Sequence, residues 1–301
     1  MKKLFALVLT LALALSLTAC GGSKEETPAD EGGETGEETV DYTAMSDDEL
    51  KAAITTVTEG TLTVATSPDF APYEFYALDE NKEPQLAGFD MDLAQYIADY
   101  LGLTLEVIPM DFDGTIMELQ NGNVDLGMAG YSPDPDRAEV MDFSDIYITG
   151  GQSFVCVQGN EDKFPSLEAA NNPEYSIGAQ VGSIQAGLAK ENTPDADIVE
   201  LSKVPDIIAE LLTGKLDGAF IETVVAEAYA KNYPALCVKF AVPYEQEGSV
   251  VGVSKDNGAL LAAVNLAIAA AKEDGSMDKF VAEANTLAEG NTYEGLLDNQ
   301  G

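Results

Sequence analysis

The sequence has 301 residues, 53 Asp and Glu against 15 Lys and Arg, a formal net charge of −38 and no histidine. Nucleic-acid binding is excluded, because affinity for a phosphate backbone comes from clustered Lys and Arg. Without histidine, Ser-His-Asp and Cys-His nucleophiles and His-liganded zinc or copper sites are excluded as well. The apolar share of 46% is normal for a folded chain, so we expect an acidic globular protein.

The N-terminus has the pattern of an export signal. Lys2 and Lys3 precede an apolar run over residues 4–18, which is too short for a comfortable membrane span and is typical of a signal peptide. The run ends in Leu-Thr-Ala-Cys at residues 17–20, which resembles the lipobox of bacterial lipoproteins. We therefore expect a signal peptide over 1–19 and a lipid on Cys20. The alternative is an ordinary signal peptide with a chance cysteine.

An acidic segment follows Cys20. Residues 21–50 contain eleven Asp or Glu and one Lys, interspersed with Gly, Ser, Thr and Pro. Such a composition buries too little apolar surface to offset its ordering entropy, so residues 20–45 are predicted to be a disordered tether. A lipid and a flexible spacer together predict a protein held at the outer face of the cytoplasmic membrane.

Strands and helices alternate through the folded part. Ser46 has capping-box spacing and predicts a helix to about Thr58. Next come strands at 61–65, 104–108 and 124–129, with helices at 89–101 and 115–119. After residue 142 a second set has strands at 176–179 and 216–221 and helices at 184–190 and 204–212. This order predicts mainly parallel sheets with helices on both faces, and a body of about 230 residues favours two lobes.

Two cysteines remain besides Cys20. Cys156 and Cys237 each lie in a short apolar run that predicts a buried strand. Export permits a disulfide between them, but we expect two buried thiols in adjacent strands.

Seven short segments of the folded part carry recognisable motifs. They are 70–75 (FAPYEF), 88–93 (GFDMDL), 110–114 (MDFDG), 130–137, 142–144, 180–185 (QVGSIQ) and 217–222 (DGAFIE). Together they resemble a family of extracellular amino-acid-binding proteins that serve ABC importers. The resemblance covers about residues 60 to 285 and follows the order and spacing of the family. In the family, 110–114 corresponds to a loop before the second helix.

The resemblance implies a two-lobed periplasmic-binding-protein fold of the α/β class. Each lobe would be a mainly parallel sheet flanked by helices, with two hinge crossovers near residues 146–151 and 238–244. Lobe 1 would comprise 46–147 plus 242–288, lobe 2 would comprise 148–241, and 289–301 would be a polar tail. Ligands in such folds bind beyond the carboxyl ends of strands, which directs attention to the cleft between the lobes.

The carboxylate of a free amino acid needs a cationic and preferably bidentate partner in a dry cleft. Arg137 follows a turn-prone loop that leaves the carboxyl end of a strand, where a ligand-facing cation should lie. The equivalent arginine of the family clamps the α-carboxylate. The alternative is a surface arginine paired with Asp134, Asp136 or Glu139.

Glu222, at the end of a strand, can accept the ligand's ammonium group. The family usually has an acid there, most often Asp, and the alternative is a carboxylate in the first turn of a helix. Gly130 and Ser132 would add a backbone carbonyl and a hydroxyl to the ammonium shell. Ser183 and Ile184 are binding positions at a helix start, where backbone N–H groups point at an anion, and Ser183 can also be an N-cap.

The resemblance also implies the contacts of the ligand side chain. Phe70 and Phe112 would sandwich it, and Gln180 would contact it from the other lobe. Ser67 stands where many relatives that take cationic or amide side chains have Asp or Glu, which favours an uncharged polar amino acid, with basic ones next. The carboxylates that could supply a charge instead are Asp69, Asp113 and Asp134.

The expected function is lipid-anchored capture of a free amino acid and its delivery to the permease subunits of an ABC importer. We expect a monomer that is not an enzyme and uses no metal or cofactor. No Gly-rich phosphate loop is present, so a partner subunit would hydrolyse ATP. The alternatives are a ligand-sensing lipoprotein and a dehydratase-type enzyme on the same fold, in which Glu222 or Asp134 would be the acid.

Overall fold

The computed structural model describes residues 40–245 and 248–290, apart from the side chain of Thr43. The predicted signal peptide, Cys20, most of the tether and most of the polar tail lie outside these residues. The described end of the tether differs from the predicted disorder, because Tyr42–Ala44 is a short 3-10 turn. Tyr42 packs against Gly258 and the apolar core, which orders this stretch.

The first half of the chain builds a five-stranded sheet and the helices around it, which we call lobe 1. Its elements are α1 (Asp47–Ala53), β1 (Thr61–Thr66), β2 (Asp69–Phe70), β3 (Glu74–Leu78), β4 (Pro84–Ala87), α2 (Phe89–Leu101), β5 (Thr104–Pro109), α3 (Phe112–Gln120), β6 (Leu126–Gly127) and β7 (Met141–Phe143). After lobe 2, the chain returns with β13 (Gly252–Ser254), α8 (Gly258–Glu273) and α9 (Ser276–Ala288). The strand order is β5-β1-β6-β13-β7, with β13 antiparallel to its neighbours.

The second half builds another five-stranded sheet, which we call lobe 2. Its elements are β8 (Gln152–Val157), α4 (Leu167–Ala170), β9 (Ser176–Gln180), α5 (Ile184–Asn192), β10 (Asp197–Leu201), α6 (Val204–Thr213), β11 (Gly218–Glu222), α7 (Thr223–Asn232) and β12 (Leu236–Val242). The strand order is β10-β9-β11-β8-β12, and only β8 runs against the others. The prediction of a two-lobed α/β fold is confirmed, but the sheets are mixed, because each five-stranded sheet has two parallel and two antiparallel strand pairs.

A third, smaller sheet was not predicted. Strands β2, β3 and β4 form an antiparallel sheet in lobe 1. Its strands are short and carry no clear alternation of apolar and polar residues, so the sequence gives no period-2 signal for them. This sheet presents β2 to lobe 2, and β2 carries two residues of the candidate site.

Helix α2 shows why some elements are readable from sequence. Phe89, Leu93 and Ile97 recur at helical spacing on one face, and all three are fully buried. Gly102 ends the helix in a left-handed conformation with φ of 72°, which a residue with a side chain adopts at a cost. The predicted bounds, 89–101, agree with the structure.

Three predicted elements differ from the structure by three or more residues in length, and the others by fewer. Helix α1 ends at Ala53 and not near Thr58. Helix α3 begins at Phe112, so Phe112 is a helical residue and not part of a preceding loop. The apolar run 124–129 contributes only β6, Leu126–Gly127, to the sheet, because the chain turns away at Gly130 toward the cleft.

Two crossovers join the lobes. The first runs from the end of β7 to the start of β8, and the second runs from the end of β12 to the start of β13. The residues 238–242 predicted for the second hinge belong to β12. An isolated β-bridge pairs Ile148 of the first crossover with Ser249 of the second. The Ser249 hydroxyl also donates a hydrogen bond to Tyr73 Oη at 3.1 Å, so the crossovers contact both each other and lobe 1.

The two cysteines lie opposite each other in adjacent antiparallel strands. Cys156 in β8 is the register partner of Cys237 in β12, as the prediction of adjacent strands requires. Both are free thiols, Cys156 buried and Cys237 half-buried. Burial raises the pKa of Cys156 to about 12, which makes its thiolate scarce.

Within the described residues, none of the helices combines the length and apolar character needed to span a bilayer.

Candidate functional site

Arg137 is the only arginine in the sequence and the only buried basic residue in the described part of the chain. It begins a short 3-10 helix in lobe 1, and its Nη2 donates to the carbonyl oxygen of Gly182 in lobe 2 at 3.0 Å. The guanidinium carbon lies 5.5 Å from the ring centre of Phe112 and 5.9 Å from that of Tyr131. Aromatic faces stabilise a cation while leaving its N–H groups available.

The surroundings of Arg137 exclude the alternative of a surface ion pair. Its side chain is only 8% exposed, and no carboxylate of the described residues lies within 4.0 Å of its guanidinium. Burial lowers the pKa of Arg137, with Tyr131 and Asp134 partly opposing the shift. A buried cation without a bonded anion is costly, so this position suits an incoming carboxylate.

Glu222 is the matching anion on lobe 2. It ends β11 and is the N-cap of α7, where its Oε2 accepts the Val225 N–H at 2.9 Å. Its Oε1 is buried with no hydrogen-bond partner among the described residues. Burial raises the pKa of Glu222 to about 7, and the Val225 N–H is the largest influence that opposes the shift. The Tyr73 hydroxyl also favours the charged form, but its geometry does not make it a hydrogen-bond partner of Oε1. The helix-start alternative is thus correct for one oxygen, while the second oxygen remains available to a donor such as an ammonium group.

The loop after β6 lies against β2. Gly130 has φ of 56°, and its N–H donates to Asp90 at 3.1 Å. A Cβ added at Gly130 would lie 2.7 Å from the Phe70 ring, so a larger residue has no room there. Ser132, two residues further on, is buried. Phe70, Gly130 and Ser132 are therefore brought together at the lobe 1 side of the cleft.

Phe112 contacts different partners from Phe70. Its ring meets Tyr131 edge-on at a centroid distance of 5.7 Å and lies under Arg137. Phe70 instead contacts Tyr73 at a centroid distance of 5.5 Å. The sandwich of a ligand side chain between these two rings stays a prediction.

Lobe 2 supplies the start of α5. Ser183 is its N-cap, with Oγ accepting the Ala186 N–H at 3.2 Å and donating to the Gln180 carbonyl at 2.7 Å. Ile184 is the first helical residue and is buried. The N-cap role of Ser183 is confirmed, and the hydroxyl is already used within lobe 2.

Ser67 and Gln180 meet through Asp69. The Ser67 hydroxyl donates to Asp69 Oδ1 at 2.9 Å, and Gln180 Nε2 donates to Asp69 Oδ2 at 3.0 Å. Gln180 Nε2 also donates to the Ser202 carbonyl at 3.0 Å, so a ligand would find only the amide oxygen free. Two of the three acids proposed as charge sources face lobe 2: Asp69 bonds to it directly, and a Cβ added at Gly182 would lie 3.1 Å from Asp113 Cβ.

A small cavity lies where Phe70 of lobe 1 meets lobe 2. Its volume is about 10 Å³, and Gln180, Val204 and Glu222 of lobe 2 are among the residues that line it. This volume holds about one water molecule and is too small for an amino acid. The direct hydrogen bond from Arg137 to Gly182 also joins the two lobes.

Two further buried carboxyl groups, Glu74 and Asp90, were not selected from the sequence. Asp90 accepts hydrogen bonds from Tyr147 Oη at 2.7 Å and from the Gly130 N–H. The Glu74 oxygens meet no donor among the described residues, but the protonated form of Glu74 can donate to Asp90. Burial raises the pKa of Asp90 to about 6. Burial, reinforced by repulsion from Asp90 and Asp69, raises the pKa of Glu74 well above its usual range. Both residues lie inside the segments 70–75 and 88–93 that resemble the family, and that resemblance was the signal available in the sequence.

Replacing Glu74 with glutamine is expected to raise the free energy of unfolding above neutral pH. The folded state holds this proton more tightly than the unfolded state, so the contribution is present below the usual value of 4.5 and is lost as the pH rises toward the folded pKa. Each pH unit in that window costs about 1.4 kcal/mol for one proton. In urea unfolding between about pH 5 and pH 8, the wild type should lose stability, and Glu74→Gln should lose less.

The matched control for this experiment is Glu106→Gln, which removes the same charge from an exposed position of lobe 1. Its pH dependence should follow that of the wild type. Equal slopes for wild type and Glu74→Gln would contradict a buried, protonated Glu74.

Comparison with known proteins gives a consistent result. The family model described as bacterial extracellular solute-binding proteins, family 3, matches residues 62–284. The arginine-binding extracellular protein ArtP of Bacillus subtilis (strain 168) is 29% identical over 284 residues, covering 93% of this chain and 96% of ArtP. Cyclohexadienyl dehydratase of Pseudomonas aeruginosa is 27% identical over 178 residues, covering 59% and 65% of the two chains.

A solved structure is similar in fold as well as sequence. It is the amino acid ABC transporter substrate-binding protein AbpA from Streptococcus pneumoniae, bound to L-arginine. The TM-score is 0.73 at 31% identity, and the match covers 80% of this chain and 99% of the other.

Proposed function

Because the chain belongs to family 3 of the bacterial extracellular solute-binding proteins, we propose that it captures one free amino acid between its lobes and delivers it to an ABC importer. Two of the relatives support this proposal, because ArtP is an arginine-binding extracellular protein and AbpA is a substrate-binding protein of an amino acid ABC transporter. The observation that carries the proposal is a pair of buried, opposite charges on different lobes. Arg137 lacks a carboxylate partner and Glu222 has a free oxygen, as a zwitterion requires.

Binding and closure are linked in this proposal. The ligand carboxylate would replace the Gly182 carbonyl as the partner of Arg137, and the ammonium group would bind Glu222 Oε1. A ligand that contacts both lobes favours the closed state by as much as it binds that state more tightly than the open one. Closure also removes water, which strengthens both ion contacts.

The side-chain class is narrowed by the residues between the lobes. Ser67 is neutral, and Asp69 already accepts three hydrogen bonds, from Ser67, Gln180 and the Val204 N–H. This arrangement favours an uncharged polar side chain that can donate to the Gln180 amide oxygen. A basic amino acid is the second candidate, because Asp69, Glu74 and Asp90 place several buried carboxyl groups in lobe 1 and because relatives bind arginine.

The proposal includes the site of action. A lipid on Cys20 would hold the protein at the outer face of the cytoplasmic membrane, and the acidic segment after it would give the lobes reach to a permease. The family is extracellular, which agrees with this placement. Metabolic labelling with a palmitate analogue, compared between wild type and Cys20→Ala, tests the anchor directly.

A thermal-shift screen against the twenty amino acids is expected to single out one polar or basic ligand. At a concentration about 100-fold above Kd, binding adds about 2.7 kcal/mol to stability, which raises Tm by about 5–10 °C for a protein of this size. No shift with any amino acid would contradict the proposal.

The same screen separates binding from catalysis. One relative is a dehydratase, and Glu222 combines burial in the cleft with a pKa near neutrality, as an acid catalyst would. Chromatography of the incubated ligands should show each recovered unchanged. Formation of a dehydrated product would favour the enzyme instead. Uptake assays in a strain lacking the gene separate transport from sensing, since a sensor leaves uptake intact.

A further inference from the structure

Asp69 is a lobe 1 residue whose side chain is bonded mainly to lobe 2. It lies in β2, is 6% exposed, and its Oδ2 accepts both Gln180 Nε2 at 3.0 Å and the Val204 N–H at 2.9 Å. The Ser67 hydroxyl holds Oδ1 at 2.9 Å within lobe 1. The carboxyl group therefore bridges two lobes with three donors.

The contact with Val204 satisfies a need of lobe 2. Val204 is the first residue of α6, and the N-cap residue Lys203 makes no side-chain hydrogen bond to the first turn. The first N–H groups of a helix lack partners within the helix, and the helix dipole favours an acceptor there. Asp69 supplies that acceptor from the opposite lobe, so opening the cleft returns both groups to water.

We propose that Asp69 is an interlobe latch, a positioning residue that prolongs the closed state by holding Gln180 and the start of α6 against β2. The latch differs from the ion contacts of the ligand. Arg137 must give up its hydrogen bond to the Gly182 carbonyl when a ligand binds. The hydrogen bonds of Asp69 to lobe 2 can persist beside the ligand. The proposal deepens the proposed function and rests on it for the part that concerns ligand release.

A protonated, neutral Asp69 can keep the same hydrogen-bond geometry. With Oδ1 protonated, Asp69 donates to the Ser67 hydroxyl, while Oδ2 still accepts both lobe 2 donors. The charged groups that face it are carboxyls of lobe 1, Glu74 and Asp111, and the positive end of α6 from lobe 2. Burial raises the pKa of Asp69 from 3.8 to about 6. The closed state therefore binds this proton more tightly than an open, hydrated state, and closure should be favoured as the pH falls through that range.

The experiment compares Asp69→Ala and Asp69→Asn with the wild-type full chain. L-Glutamine and L-arginine are the probes, and the dissociation rate constant is measured by displacement of radiolabelled amino acid. Asp69→Ala should release the probe about tenfold to a hundredfold faster, the effect expected when buried polar groups lose their partner. With L-glutamine, whose neutral side chain needs no charge on Asp69, Asp69→Asn should stay within about threefold of wild type, because one amide oxygen accepts both lobe 2 donors and the amide nitrogen donates to Ser67.

Asp69→Asn also tests whether Asp69 takes up a proton when the lobes close. Between about pH 7.5 and pH 5.5 the ratio of the wild-type rate to the Asp69→Asn rate should fall, since only the wild type gains a proton on closing. The other titrating groups are present in both proteins and cancel in this ratio. A constant ratio overturns the protonated latch.

A control variant and a ligand-independent measurement complete the test. Asp99→Ala removes an exposed carboxylate from the same lobe and should behave as wild type. Small-angle scattering without amino acid should give a larger radius of gyration for Asp69→Ala alone. If neither probe binds any protein but this expansion is seen, the proposed ligand is wrong and the latch stands. Equal radii and equal rates for Asp69→Ala and Asp99→Ala overturn the latch.

Discussion

Arg137→Ala is expected to abolish amino-acid binding while the protein stays folded. The substitution removes the only buried cation of the described chain, and a ligand carboxylate would then be buried without a partner. Truncating one member of a buried, hydrogen-bonded charge pair costs about 2–5 kcal/mol or more, which is about 30-fold to several-thousand-fold in Kd. Isothermal titration calorimetry with the ligand from the screen measures the loss.

The folded state of this variant should persist because Arg137 makes no ion pair within the described residues. Its removal gives up one hydrogen bond, to Gly182, and the ring contacts with Phe112 and Tyr131. Arg137→Lys is the matched variant. It keeps the charge but not the planar fork, so it should bind more tightly than Arg137→Ala and more weakly than wild type. A Kd for Arg137→Ala within about tenfold of the wild-type value would refute the assignment of the carboxylate clamp.

Glu222→Gln is expected to weaken binding by a similar amount, for a different reason. A glutamine oxygen can still accept the Val225 N–H and cap α7, but its amide N–H group would occupy the place of Oε1 and face the ligand's ammonium group. The fold is thus preserved and the ammonium contact is lost. Glu222→Asp keeps the charge and should retain binding within about tenfold, since one methylene shifts the oxygen without removing it.

The pH dependence of ligand affinity distinguishes Glu222 from the other buried carboxyl groups. The charged carboxylate binds the ammonium group, so below the pKa of about 7 the free protein must release a proton on binding. The advantage of wild type over Glu222→Gln should therefore shrink by up to about tenfold per pH unit as the pH falls below that value. An advantage that stays constant down to about pH 5 would show that Glu222 is not the ammonium partner.

The elements readable from the sequence are those with a local cause. Helix α2 combines an apolar face with a terminal glycine, and Glu222 follows an apolar strand, so both were placed correctly. The start of helix α3 was predicted too late, at residue 115, because Asp113 and Gly114 interrupt the apolar pattern of its first turn. The helix begins at Phe112, which is buried. The predicted strand at 124–129 was too long, because an apolar run in the sequence does not show where the hydrogen bonds to neighbouring strands end.

The interlobe bonds of Asp69 and the burial of Asp90 were not predicted, because both depend on distant partners. Asp69 bonds to Val204, 135 positions away, and Asp90 bonds to Tyr147, 57 positions away. No local pattern distinguishes these acids from the many acids of the surface in a chain with 53 of them. What selects them is burial, and burial of a carboxyl group follows from how the lobes pack.

The bridge between Ile148 and Ser249 ties the two passages of the chain together. A bend in one passage therefore pulls on the other, which favours a concerted rotation of the lobes over independent bending of either crossover. A ligand that contacts both lobes would then act on both crossovers at once, because neither can follow the rotation without the other.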